Sequence, residues 1–128
     1  MVIGSRALVE SEIQVRQAWY RETMGRIFNV LLRALALTRF HDTQCGFKGF
    51  TAEAAESVFS RQTQDGFAFD AEVLYLAARL GLRIDEVPVR WTNCPHTRLH
   101  PVRHSTHMFL DMIRLRLRAW AGKYRREG

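Results

Sequence analysis

A mixed α/β domain, rich in helix with a few short strands, is the fold class that this sequence predicts. Apolar residues recur at helical spacing in several segments. Short β-branched or aromatic runs separate those segments, and glycines, prolines and capping hydroxyls fall at the junctions. At 128 residues and 47% hydrophobic, the chain has the size of one domain with a modest core.

Taken in order, Val2-Ile3-Gly4-Ser5-Arg6 reads as a strand running into a loop. From Glu10 to Leu37, Trp19, Ile27, Phe28, Leu31, Leu32 and Leu35 mark an amphipathic helix, with Gly25 as a place to kink or divide it. Arg16, Arg21, Arg26 and Arg33 fall on the opposite face. Phe47–Phe50 predicts a short strand, and Thr51 caps a helix that opens with acids and ends near Ser60. After a polar loop at Gln62–Gly66, a helix is expected over Phe69–Leu80 with Gly81 closing it, and a strand over Leu82–Trp91. Residues 92–104 read as an irregular loop, and Ser105 as the cap of a last helix reaching Trp120.

Composition excludes several classes. No run approaches the roughly 18 apolar residues of a membrane span, and no basic-then-apolar leader opens the chain. The reading is therefore a cytoplasmic protein with reduced Cys45 and Cys94. Of a formal net charge of +6, nearly all lies in Arg114, Arg116, Arg118, Lys123, Arg125 and Arg126, offset only by Glu127. A nucleic-acid-binding face would spread its cations and interleave aromatics, so no nucleic-acid partner is expected.

Two stretches carry more specific information. Asp42-Thr43-Gln44-Cys45-Gly46-Phe47-Lys48-Gly49-Phe50-Thr51, followed by Phe67-Ala68-Phe69-Asp70-Ala71-Glu72, resembles a paired signature of dolichyl-phosphate glucosyltransferase-like enzymes of glycosyltransferase family 2. Val2–Arg6 is similar to the strand after that family's metal-binding motif, and Ile84–Trp91 to its late edge strand. The resemblance implies a GT-A fold of which this chain is the C-terminal half, residues 1–104 forming the acceptor side and 105–128 a basic amphipathic helix. The nucleotide-binding half is not in this sequence. Asp42, Asp65, Asp70, Asp85 and Asp111 include no D-x-D pair, so no cofactor is expected for this chain, while the resemblance implies Mg2+ or Mn2+ for the complete enzyme.

What the resemblance implies is transfer of a hexosyl group, glucose, from a nucleotide sugar such as UDP-glucose to a polyprenyl phosphate with inversion. By resemblance, Arg6 and Arg21 match contacts to the acceptor phosphate, and Arg98 a basic residue on a loop that closes over the site. Related mannosyl enzymes supply a hydroxyl four residues after the second arginine, where this chain has Gly25. Asp70 is the candidate catalytic residue, set against the sugar hydroxyls, with Gln44, Lys48 and Glu72 as candidate sugar or diphosphate ligands. The bland alternatives stand beside these: surface arginines, and a carboxylate pair favoured by a helix start.

Cys45 reads as a packed small residue. His96, His100 and His104 repeat every four positions, but Pro101 argues against one helix carrying them, and no metal site is expected. The last helix places Phe109, Met112, Ile113, Leu117 and Trp120 on one side and Arg114, Arg118 and Arg125 on another, as a helix on the cytoplasmic membrane surface would. A core helix with a solvated basic face fits equally. A half-sheet also leaves a strand edge open, which self-association or a supplied half would cover. The alternative function is a membrane- or lipid-phosphate-binding module without catalysis.

Overall fold

The computed structural model of the chain describes residues 1–35, 38–94 and 101–124. Among these residues the strands are β1 (Val2–Ser5), β2 (Glu12–Val15), β3 (Lys48–Gly49), β4 (Asp85–Pro88) and β5 (Arg90–Thr92). The helices among them are α1 (Trp19–Ala34), α2 (Ala52–Phe59), α3 (Phe69–Arg79) and α4 (Pro101–Trp120), with a 3₁₀ turn at Gly66–Ala68 leading into α3. This is the mixed helix and strand composition expected.

β1 lies between β3, antiparallel, and β4, parallel, with Ile3 opposite Lys48 on one side and Glu86 on the other. β2 and β5 form a separate parallel pair that aligns Ile13 with Trp91. The two sheets meet where the chain changes partner. The Ser11 hydroxyl donates to the Ser5 carbonyl and accepts from the Val89 N–H, while Glu12 N–H donates to the Val89 carbonyl at 2.9 Å. The single strand expected over Leu82–Trp91 is therefore two, broken at Val89.

One buried cluster joins the layers: Ile3 of β1, Phe28 and Leu32 of α1, Val73, Leu74 and Leu76 of α3, and Met112 and Leu115 of α4. Each such side chain contributes about 1.5–3 kcal/mol by leaving water. α3 is buried continuously from Ala71 to Ala77. α4 belongs to the same core, where Met112 and Leu115 face inward and Tyr124 returns beneath it after Gly122 turns the chain at φ +73°.

Local signals placed several elements. Thr51 accepts from Ala54 N–H at the start of α2, which ends beside Ser60, and Gly81 closes α3 at φ +73°. Others moved. The helix expected from Glu10 begins at Trp19, because Glu12-Ile13-Gln14-Val15 alternates in the strand period and pairs with β5. α1 then runs through Gly25 unbroken and buries Phe28, Asn29 and Leu32, leaving Trp19 79% exposed and Ile27 on the outer face. The last helix starts at Pro101, not Ser105. A proline in the first turn gives up no intrahelical hydrogen bond, so the expected loop ends earlier.

Gly4 marks the tightest approach in the sheet. A Cβ there would meet Val89 Cγ1 at 2.6 Å, Phe47 Cβ at 3.1 Å and Cys45 Sγ at 3.2 Å, and its N–H donates to the Phe47 carbonyl at 2.7 Å. Gly4→Ala is expected to destabilise the chain by about 1–3 kcal/mol through overpacking. A lowered urea midpoint at unchanged slope is the measurement.

Candidate functional site

The segment 42–48 has almost no regular structure, yet side chains fix it at nearly every residue. Asp42 takes three hydrogen bonds from Arg6: Nε to Oδ2, Nη2 to Oδ1 and the backbone N–H to Oδ2, each 2.8 Å. Thr43 donates its N–H and hydroxyl to Asn29 Oδ1, and Asn29 Nδ2 donates to the Gly25 carbonyl, which ties the loop to α1. Lys48 Nζ folds back onto the carbonyls of Thr43 and Cys45 and reaches Asp70 Oδ1 at 2.6 Å. Cys45 is buried, and Phe47 is pinned through its carbonyl by Gly4.

The Arg6–Asp42 pair is held charged from both sides. The hydrogen bond to Asp42 raises Arg6 above its already high value, against the effect of burial. Burial pushes the Asp42 carboxyl up, but the hydrogen bonds and charge of Arg6, with Lys48 nearby, outweigh it and leave the group below the usual carboxylate range. The Arg6 guanidinium also lies over the Trp91 ring, 5.1 Å from its centroid.

Two cavities flank this pair. A groove of about 590 Å³ runs between α1 and α4, walled by apolar side chains such as Met24, Ile27, Phe28 and Met108, with Arg6, Arg21 and Gln44 among its polar lining. A second space of about 490 Å³ lies between the 44–47 loop and the Val87–Trp91 stretch. Arg6, Gln44 and Trp91 line both. Gly25 lines the groove, and a side chain added there would meet nothing within 4 Å, so its wall is hollow where the mannosyl-type pattern has a hydroxyl.

The residues singled out from sequence thus separate. Arg6, Arg21 and Gln44 come together at the groove. Asp70 stands at the start of α3, joined to the loop by Lys48, whose side chain is only 7% exposed. Lys48 spends its three donors on Thr43, Cys45 and Asp70, so it fixes Asp70 and the loop and does not reach out to a diphosphate. Glu72 is also corrected. At 0% exposure it accepts from Thr63 N–H and hydroxyl, Gln64 N–H and the Tyr124 hydroxyl, which fills its acceptor capacity inside the core. Burial, reinforced by that carboxylate, pushes the Tyr124 phenol above its usual range. Arg98, and with it His96 and His100, lies outside the described residues.

Sequence reasoning assigned no site role to Asn29, Asp42 or Trp91. Asp42 opens the ten-residue signature and Trp91 closes the late strand, but a polar Asn29 within an apolar period carried no signal.

Asp42, with its folded carboxyl depressed, contributes stability that is complete above the unfolded value near ~3.9 and is lost as pH falls through the lower folded value. Asp42→Asn is expected to flatten that acid limb and, by leaving Arg6 without its counter-charge, to cost about 3 kcal/mol at neutral pH. Urea unfolding followed from pH 7 to pH 3 measures both effects.

Comparison with known proteins agrees with the motif reading. The chain is 37% identical over 123 residues to a dolichyl-phosphate beta-glucosyltransferase of Dictyostelium discoideum, covering 95% of this chain and 38% of that protein. It is 37% identical to the Homo sapiens enzyme of that name over 97% of this chain and 38% of the relative, and 31% identical to that of Saccharomyces cerevisiae over 98% and 38%. No family model matches, and no solved structure matches. Along nearly its whole length the chain is a sequence relative of the dolichyl-phosphate beta-glucosyltransferases, and it spans about 38% of their length, at the C-terminal end.

Proposed function

We propose that this chain is the acceptor-binding part of an inverting family 2 glycosyltransferase of GT-A fold, which moves glucose from a nucleotide sugar, UDP-glucose, to a dolichyl-type polyprenyl phosphate. The observation that carries the reading is the α1–α4 groove, apolar along its walls with guanidinium groups at Arg6 and Arg21. Such a groove matches an apolar chain with an anionic head. The similarity to enzymes named for dolichyl phosphate supports the same acceptor.

The chemistry follows from the charges. A lipid phosphate is already ionised near neutral pH, so its attack on the anomeric carbon needs orientation more than a strong base, and guanidinium groups supply that orientation through charge-assisted, two-pronged hydrogen bonds. Arg6 enters this role already stiffened by Asp42, which removes side-chain freedom before the ligand arrives. Asp70, steadied by Lys48, is the carboxylate this reading assigns to the sugar hydroxyls, and it lines neither of the two cavities. The divalent cation such a reaction uses, Mg2+ or Mn2+, finds no group of three or more ligating His, Cys, Asp or Glu side chains among the described residues.

We further propose a peripheral position on the cytoplasmic face of a membrane, with the 105–128 region as its anchor. No helix among the described residues is long and apolar enough to cross a bilayer. α4 instead turns Phe109, Leu110, Leu117 and Trp120 outward, with Arg116 over the Trp120 ring at 4.8 Å, and α1 exposes Trp19, Tyr20, Ile27 and Val30. Ile27 and Phe109 also line the groove, so its wall and this outer surface are continuous.

Arg21→Ala is expected to weaken binding of a short-chain polyprenyl phosphate in detergent by 10-fold or more, as removal of a charged hydrogen-bond partner does. Calorimetric titration measures it, and equal binding of the dephosphorylated alcohol would overturn the reading. Transfer on adding a nucleotide-binding half in trans separates an enzyme part from a module that only binds lipid phosphate. Trp120→Ala combined with Leu117→Ala is expected to reduce binding to anionic vesicles about tenfold, and added salt to reduce it further, in a sedimentation assay.

A further inference from the structure

Neither the backbone nor the packing of the described residues accounts for the glycine in the middle of α1. The helix passes through Gly25 unbroken, without the positive φ that Gly66, Gly81 and Gly122 adopt. A Cβ added there would meet no described atom within 4 Å. Glycine is nonetheless among the poorest residues for a helix interior, because it has the most backbone freedom to lose and no side chain to pack. An alanine would serve the fold better, so the missing side chain leaves room for something outside this chain.

The hollow is local. α4 reaches α1 one residue earlier, where the Ser105 hydroxyl lies 4.0 Å from Met24 Sδ, so the two helices are not simply apart at this level. Gly25 opens into the groove of about 590 Å³, which has the volume of a small-molecule site. Along α1, Arg21, Gly25 and Phe28 share one face at spacings of four and three residues, and all three line the groove. The order is a guanidinium, then the hollow one turn on, about 6 Å along the axis, then an apolar ring. Met108 and Phe109 of α4 are also among the lining residues.

An isoprenoid phosphate presents the matching order: an anion, a short link, and then a carbon chain that carries a methyl branch. We propose that Gly25 selects the acceptor by seating the branched unit next to its phosphate, with the branch methyl in the hollow against the α1 backbone. The assignment deepens the acceptor reading and rests on it. Arg21 takes the phosphate, and Gly25 decides which chain can follow. An unbranched chain would leave the hollow empty and forgo the contacts that a methyl makes there.

The test pairs Gly25→Ala with two ligands: citronellyl phosphate, which carries the branch, and octyl phosphate, which lacks it. Both are titrated into the chain and followed by NMR at the Met24 and Met108 methyl groups. The unaltered chain is expected to bind citronellyl phosphate more tightly. Gly25→Ala is expected to raise the thermal unfolding midpoint, to weaken citronellyl phosphate about tenfold, and to change octyl phosphate by less than about twofold. A lowered midpoint would assign the glycine to the fold and overturn the proposal. Unchanged affinity for citronellyl phosphate would overturn it too, as would equal losses for both ligands, which would make the hollow part of the phosphate site. No saturable binding of either ligand by the unaltered chain would instead sink the acceptor reading, and this seat with it.

Discussion

The fork from Arg6 to Asp42 is the interaction on which the rest of the site depends. Asp42 begins the irregular loop, Arg6 follows the central strand, and three hydrogen bonds between them join the two. Withdrawing a carboxylate and a guanidinium from water is costly, and such a pair breaks roughly even only when its geometry is good and its remaining polar atoms are engaged. Here the carboxylate receives a backbone N–H besides both prongs, and the guanidinium lies on Trp91. The pair acts less as a source of stability than as a constraint, because it fixes one end of a loop that has no ladder to hold it.

From that end, constraint passes along the loop residue by residue. Asn29 holds Thr43, Lys48 gathers the carbonyls of Thr43 and Cys45, and Gly4 takes Phe47. Gln44 is left as a polar side chain with a fixed base and an amide unengaged among the described residues, the condition that a binding residue requires if its ordering entropy is to be met before the ligand arrives. Lys48 extends the same constraint to Asp70, so one ion pair joins the loop to the first turn of α3.

What the sequence revealed follows the range of the interactions concerned. Thr51 and Gly81 act within one turn of their own positions, and both landed where their chemistry predicted. The paired signature was legible as a unit, and the residues it marks do gather in space. β2 was missed because the alternation of Glu12–Val15 covers only four residues and is secured by pairing with β5, far along the chain, while the apolar spacing beyond it extended the helical period backward. Glu72 was misplaced for a related reason. Two carboxylates at a helix start look alike to the local dipole, and only the fold sets one beside Lys48 and encloses the other with Thr63, Gln64 and Tyr124.

The same division explains why α4 could not be assigned from its periodicity. Its apolar residues do not form one stripe but two. Met112 and Leu115 face the core, while Phe109, Leu110, Leu117 and Trp120 face outward, with Arg114 and other cations between them. A helix apolar on two sides has to bury one against its own domain and present the other to an apolar partner, and soluble domains rarely leave such a face uncovered. α1 shows the same doubling, with Phe28 and Leu32 inside and Trp19, Ile27 and Val30 outside. Because Ile27 and Phe109 belong both to this outer surface and to the groove, an isoprenoid chain passing from a bilayer to the arginines would follow apolar side chains along its path. On the reading proposed above, its phosphate is the first group to need water or an equivalent, and Arg6 and Arg21 are the guanidinium groups among the groove's lining.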